Sequence, residues 1–376
     1  LLHNALWSRP PIQQLADRLA AWMTPLAVLI AALTFIGWSL TAGVETGLLN
    51  ALSVLLIACP CALGLATPLT LWHGINRAAQ GGVILRSSAV LEKLARLRHV
   101  AFDKTGTLTT RQFTVAEIHS PGQPEDTFLA RIAAVEARSE HLLGATVYRE
   151  AQERRLALPL TEQFRTIPGY GVSARVAGDM VIVGNRALMV REGCVIPTEL
   201  ERLTETCQQA GWIAVYGAWA GEVRGVVVLA EEERPQAVSV IHELKHMGLE
   251  ASVLTGDDAV AGARWSARLD VHVRAGLRPE DKITAIQAIG GPVAMVGDGI
   301  NDGPALAAAS VGIALSNGTD VAHAAADVIL INDELSAVPW LIGLGRATLG
   351  RVRQNLAWAL VYNLIGLALA AAGLLW

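Results

Sequence analysis

The stretch HVAFDKTGTLT, residues 99–109, decides how the rest of the chain is read. A short apolar run, His99 to Phe102, stops on the carboxylate of Asp103. Lys104, Thr105, Gly106 and Thr107 follow at once. A strand that ends on an acid and a glycine turn suits an open α/β sheet, where working residues gather at the carboxyl ends of strands. In that position Asp103 is a candidate nucleophile, because an acyl phosphate splits one hard phosphoryl transfer into two easier steps. The turn behind it offers backbone amides to phosphate oxygens.

Two more runs end the same way, ASVLTGDD at 251–258 and PVAMVGDGINDGPAL at 292–306. Thr255 and Gly256 add a hydroxyl and an amide at the predicted sheet edge. Lys282, in RPEDK at 278–282, supplies a mobile positive charge. Asp298 and Asp302, four apart across a glycine-rich turn, suit Mg²⁺, which prefers a couple of carboxylates plus water and phosphate oxygens. Each piece alone reads as an ordinary solvated turn; their order and their strand-end placement point to phosphoryl transfer. No GxxxxGK[ST] occurs, so a P-loop is not supported. Strand-like apolar runs alternating with charged helical stretches predict a doubly wound α/β fold.

The flanks are different. The chain is 52% hydrophobic, and three stretches lack charge over lengths sufficient to cross a bilayer, for which about 20 apolar residues are needed. They lie between Arg18 and Glu45, between Glu45 and Arg77, and from Gln354 onward. Spans are expected at about 20–43, at about 47–72 and within 346–376. The short 43–47 connection carries Glu45 and no basic residue, while Arg9, Arg18, Arg77, Arg86, Arg346, Arg351 and Arg353 flank the other ends. The basic residues place the polar middle in the cytoplasm. A net charge of −4, without like-charge blocks, argues against a nucleic-acid partner. The chain starts on Leu and ends on Trp376 in an apolar run, and is expected to be a piece of something longer.

Inside the second apolar stretch stands Cys59-Pro60-Cys61. On a regular helix the two cysteines would point about 200° apart. Pro60 lacks an N–H and clashes with the preceding turn, so the helix must deform. Deformation brings both thiols toward one side, and irregular backbone at membrane depth is tolerated where it packs in protein or lines a pathway. Thiolates select Cu(I), Zn²⁺ and related soft ions. Taken separately, a kink and two small apolar cysteines have a plain structural reading; together they favour a metal site. Cys194 and Cys207 read as structural.

DKTGTLT at 103–109, TGDD at 255–258 and GDGINDGPAL at 297–306 resemble the phosphorylation-domain signatures of P-type ATPases, within the haloacid-dehalogenase superfamily. Cys-Pro-Cys resembles the heavy-metal branch. The resemblance implies a phosphorylation domain at 98–112 and 222–345 with an inserted α+β nucleotide-binding domain at 113–221. The two membrane helices and a stalk would occupy 1–97, and a stalk and third helix 346–376. It implies that Asp103 is phosphorylated, with Lys104 and Asp257 beside it. Thr105, through its carbonyl, and Asp298 would join Asp103 around Mg²⁺. Thr255, Lys282 and Asn301 would hold phosphate, and Asp302 would complete the motif. ATP would be held by Glu136, His141, Gly169, Gly171, Gly184 and Asn185. Leu142 stands where the family usually has Pro, and Gly303 where it usually has Ala; the Pro usual after Tyr-Asn is absent. Tyr362 and Asn363 resemble the copper(I)-exporting subgroup, whose zinc- and cadmium-exporting cousins typically carry a Lys in this helix. They would be donors to the transported ion alongside Cys59 and Cys61, with Asp17 at the cytosolic mouth of the pathway. Tyr and Asn also serve as plain interhelical hydrogen-bonders, and Asp17 as an ordinary exposed charge.

The family's actuator motif Thr-Gly-Glu is absent from these residues, so a catalytic portion able to phosphorylate itself without efficient turnover is expected. The implied setting is a multi-pass protein of the cell (inner) membrane, in contact with lipid, with a metallochaperone as the implied source of metal. Alternatives are export of Zn²⁺, Cd²⁺ or Co²⁺, and a non-pumping protein that binds nucleotide or metal.

Overall fold

The computed structural model describes residues 10–59, 61–139, 141–209, 211–298, 302–316 and 324–375. They form two compact units. One holds residues 1–101, 239–251 and 279–376; the other holds 102–238 and 252–278.

A seven-stranded sheet contains β1 (Val83–Leu85), β2 (His99–Asp103), β9 (Glu250–Leu254), β10 (His272–Arg274), β11 (Val293–Gly297), β12 (Val311–Leu315) and β13 (Val328–Leu330). Its order is β1-β13-β12-β11-β2-β9-β10. β11, β12 and β13 run parallel, as do β9 and β10, and β1 closes one edge antiparallel to β13. Every residue of β11 and β12 is buried, as expected for parallel strands covered on both faces. Arg98 N donates to Pro292 O and Glu250 N to Arg98 O, 3.0 Å each. The starts of β11, β2 and β9 therefore adjoin.

The second sheet is antiparallel, with order β3-β8-β7-β6-β5-β4. Its strands are β3 (Thr109–His119), β4 (Thr161–Ile167), β5 (Gly171–Val176), β6 (Asp179–Gly184), β7 (Ile213–Trp219) and β8 (Glu222–Glu233). Side chains alternate between two cores, as the strand period of two requires. Val227 and Leu229 meet Phe128, Leu129 and Ile132 of the Glu125–Glu136 helix. Val226 and Val228 meet Leu188, Met189 and Leu200 on the other side. Cys194 and Cys207 are free thiols buried in that second cluster, which fits their structural reading. The domain boundary expected at 221/222 falls in the β7–β8 hairpin. β8 pairs with β3 and β7, so residues 222–233 lie in the second sheet.

The apolar flanks are helical. Helices Pro11–Ala42 and Ala337–Ala371 are long and apolar enough to cross a membrane, and only 17% of the most apolar window of each is buried within the protein. Leu26, Leu29, Leu33 and Leu40 point outward, the reverse of a soluble core helix. The second expected span differs. It consists of two helices, Val44–Ile57 and Cys61–Gln80, interrupted after Ile57. At 14 residues the first of these rises about 21 Å, short of a full bilayer crossing. Two helices of this chain, not three, thus pass as continuous spans among the described residues. The first span has no side-chain cap of its own. The buried Glu92 accepts from Ile12 N at 3.1 Å and pairs with Arg96, so one carboxylate satisfies a helix start and a guanidinium together.

Candidate active site and nucleotide cleft

β2 delivers Asp103, buried, in extended conformation, at its carboxyl end. The next five residues, Lys104–Leu108, form one wide helical turn interrupted at Thr105 and at Gly106, whose φ of 74° lies in the left-handed region. Glycine enters that region without a Cβ penalty. The turn is tied down by Thr109. Its Oγ1 accepts from Gly106 N at 2.9 Å and donates to Lys104 O at 3.3 Å. Thr107 is fully buried, and its hydroxyl has no partner among the described residues. A buried polar group without a partner is rare and asks for a reason.

Lys104 points into a small recess, where its Nζ lies 2.7 Å from Asp257 Oδ2 and 3.0 Å from Glu231 Oε2. Burial works to lower its pKa, but the hydrogen bond to Asp257 and the field of Glu231 outweigh it, and the ammonium is held above its ordinary value. Thr255, also buried, anchors the neighbouring loop. Its Oγ1 accepts from Asp257 N at 3.1 Å, and its backbone pairs with Arg274 and Leu277. Gly256 sits between these two on the same turn. Asp258 caps the helix that follows, accepting from Val260 N and Ala261 N.

In the other unit β11 leads into Asp298, which is buried. Lys282, from the Pro279–Ala288 helix, donates to Asp302 Oδ1 at 2.7 Å, with both groups buried. The charges satisfy each other, as buried ions must. Asn301 lies outside the described residues.

The six residues expected to hold ATP line one cleft of about 780 Å³. Glu136, at the end of the Glu125–Glu136 helix, is buried, and that burial pushes its carboxyl up to about 7 against the opposing hydrogen bond with Ser139. Gly144 makes room for it: a Cβ there would stand 2.2 Å from Glu136 Oε2. His141 caps the Leu142–Glu153 helix through Nδ1, which accepts from Leu143 N at 3.3 Å. The imidazole proton is thereby assigned to Nε2. Leu142, exposed, starts that helix without disturbing it.

Across the cleft, Gly169, Gly171, Gly184 and Asn185 come together on one wall. A Cβ on Gly171 would lie 2.1 Å from Val183 O, and one on Gly184 2.3 Å from Tyr170 O. Asn185 Nδ2 donates to Gly169 O at 3.1 Å while its Oδ1 accepts from Leu188 N at 3.0 Å. Asn185 is thus the brace of this wall.

The membrane candidates separate. The break between Ile57 and Cys61 falls at the Cys-Pro-Cys stretch; Pro60 and the side chain of Cys61 lie outside what is described. Asn363 is buried and its Nδ2 has no partner among the described residues, whereas the adjacent Tyr362 is exposed. Neighbours on a helix point about 100° apart, so the two do not share one face. Asn363 is one turn from Gly366, whose position packs against Ile57 beside the break. Asn355 takes the plain interhelical role, donating to Thr70 at 3.1 Å. Asp17 is exposed.

Sequence reasoning did not single out Thr107, Glu231, Ser139 or Gly144. Thr107 lies inside the quoted motif. Glu231 is part of Glu231-Glu232-Glu233, which reads as a solvated acidic run until the fold turns one member onto Lys104.

The haloacid dehalogenase-like hydrolase family matches residues 97–310. A probable copper-exporting P-type ATPase V of Mycobacterium tuberculosis is 39% identical over the whole chain, which covers 50% of that protein. A silver-exporting P-type ATPase of Salmonella typhimurium is also 39% identical, with 46% of it covered. The chain thus spans about half the length of these relatives. A crystal structure of a zinc-transporting PIB-type ATPase in the E2.Pi state superposes with a TM-score of 0.84 at 36% identity, covering 99% of this chain and 62% of that one. The catalytic domain of the CPx-ATPase CopB-B gives 0.57 at 27% identity, over 71% of this chain and 98% of that domain. The chain belongs to the haloacid dehalogenase-like hydrolases, and along its whole length it is similar to metal-exporting P-type ATPases.

Proposed function

We propose that this chain carries the ATP-consuming and ion-conducting core of a pump for a soft metal ion, Cu(I), working through an aspartyl phosphate on Asp103. The observation that carries the reading is the strand-end constellation. A buried Asp103 closes β2 beside a tied glycine turn, a salt-bridged Lys104 and the Thr255 loop, and β11, its neighbour in the sheet, leads to Asp298. In the proposed step an Asp103 carboxylate oxygen attacks the γ-phosphorus of ATP. The bond to the bridging β,γ-oxygen breaks, and ADP leaves with that oxygen. Lys104, Thr255, Gly256 and Lys282 neutralise and align the phosphoryl oxygens, as this chemistry requires. Asn301 is proposed alongside them, and Asp257 and Asp302 as the carboxylates that hold the two lysines.

The buried carboxylates Asp103, Asp298 and Asp302, with the Thr105 carbonyl, are the hard oxygen donors proposed for Mg²⁺. When bound, Mg²⁺ would supply charge neutralisation to the phosphate. Adenine is proposed to enter the cleft between Glu136 with His141 and the Gly169–Asn185 wall, where glycines allow close backbone approach.

For the ion, Cys59 and Cys61 are proposed as ligands where the helix breaks, with the buried Asn363 amide as a neutral donor. The exposed Tyr362 is the weaker candidate of the pair, and Asp17 is proposed at the cytosolic mouth. The stretch from Gln354 onward holds no Lys, Asp or Glu, which suits a monovalent ion balanced by thiolates. Copper and silver appear in the names of the sequence relatives; the zinc-transporting structure supports Zn²⁺ as the second reading. The setting proposed is the cell (inner) membrane, with lipid around the outward leucines, the polar middle of the chain cytoplasmic, and metal brought by a carrier protein.

The test is phosphorylation by γ-labelled ATP in membranes. An acid-stable label is expected that disappears in Asp103→Asn and rises with Cu(I) more than with Zn²⁺. Absence of a label dependent on Asp103 would sink the catalytic reading; a stronger response to Zn²⁺ would replace copper.

A further inference from the structure

The helix Ala237–His246 carries two histidines one turn apart, His242 and His246, both exposed. Their rings meet edge to face, with centroids 4.4 Å apart and planes at 75°, and their Nε2 atoms lie 3.3 Å from each other. Two bonds of about 2.0–2.1 Å to a tetrahedral Zn²⁺ place the ligand nitrogens about 3.3 Å apart. The spacing is that of a two-imidazole clasp, and positions i and i+4 put both rings on one helix face. We propose that His242 and His246 form a surface site for a borderline divalent cation, Zn²⁺ being the best geometric match. Both Nε2 atoms would bind, Nδ1 keeping the proton on each ring, with the remaining positions open to water. Imidazole donors suit Zn²⁺, Ni²⁺ and Cu²⁺, whereas the thiols at 59 and 61 suit softer Cu(I). The two places therefore differ in the ion they prefer.

The location gives the clasp a mechanical address. The helix runs directly into Met247, whose carbonyl accepts from Arg346 Nη1 at 2.8 Å, on the long Ala337–Ala371 helix. An ion that fixes the last turn of the one helix acts next to the root of the other. The proposal does not depend on Asp103 chemistry.

The alternative for the same geometry is a neutral imidazole pair in which one Nε2–H donates to the other nitrogen. Calorimetric titration of Zn²⁺ into the full chain in nanodiscs separates the two. Cys59→Ser and Cys61→Ser remove the thiol site throughout, and excess Mg²⁺ occupies the carboxylates. The clasp predicts one equivalent of Zn²⁺ that weakens about tenfold or more in either His242→Gln or His246→Gln and is absent in the double variant. Identical isotherms for the parent and the double variant overturn the proposal. So does a loss divided additively between the single variants, which would mean that each imidazole binds alone.

Discussion

Glu136 shows how one buried side chain ties stability to ligand chemistry. Its folded pKa of about 7 lies above the ordinary carboxylate value of 4.5 because of burial. The folded state thus binds a proton that the unfolded state has released. Stability is greatest below pH 4.5 as far as this group is concerned, falls as pH rises from there to about 7, and levels off above. The span corresponds to on the order of 3 kcal/mol. Glu136→Gln should remove this part of the pH dependence, so that urea melts of parent and variant converge at pH 5 and the variant is the more stable at pH 8. An unchanged pH slope would show that Glu136 is not held neutral. Thr107 offers the complementary case, since its buried hydroxyl has no partner among the described residues. Thr107→Val keeps the shape and removes an unsatisfied group worth about 1–3 kcal/mol. It should leave the melting temperature equal or higher while lowering the Asp103 label about tenfold or more, if the hydroxyl is kept for phosphate. A variant that melts higher and labels normally would give the hydroxyl no role in phosphorylation.

At the scale of elements, two helices are defined by what they must leave room for. In the Leu142–Glu153 helix, Gly144→Ala improves intrinsic helix propensity by up to about 1 kcal/mol. It also drives a methyl group to 2.2 Å from Glu136 Oε2. The clash should prevail, and equilibrium binding should show ATP affinity falling about tenfold with stability lowered rather than raised; a more stable variant of normal affinity would mean that Glu136 moves aside freely. At the Cys-Pro-Cys stretch, Pro60→Ala restores the missing N–H and removes the steric block. A helix continuous through residue 60 would turn Cys59 and Cys61 apart, so Cu(I) affinity measured by competition with a chromophoric chelator should drop by an order of magnitude or more. This contrast also marks what the sequence makes legible. Proline at 60 announces the break from chemistry alone, and the apolar runs before Asp103, Thr255 and Asp298 announce their strands. Glu231 on Lys104 joins segments far apart in sequence, and Gly144 under Glu136 and Asn185 bracing Gly169 depend on how the chain folds back on itself. No local pattern encodes such distances. The antiparallel pairing of residues 222–233 with β3 is likewise decided by a partner more than about a hundred positions upstream.

At the scale of the whole molecule, the chain divides its chemistry between two compact units, and its thermodynamics should show it. The unit containing residues 102–238 has its own sheet with a core on each face, and the cleft lies entirely within it. The other unit includes the two helices that are long and apolar enough to cross a membrane. All-or-none unfolding is not expected of such a chain. Calorimetry of the chain in nanodiscs should resolve two transitions. A non-hydrolysable ATP analogue without added metal should raise only the transition of the unit with the cleft, by an amount that grows with the logarithm of ligand concentration. Gly144→Ala should suppress that shift, whereas Asp103→Asn should preserve it, because the proposed adenine contacts and the carboxylate proposed for phosphorylation are separate groups. A single transition moving as a whole would mean that the two units unfold as one. In that case ligand binding would be coupled to every element of the chain, including the two long apolar helices.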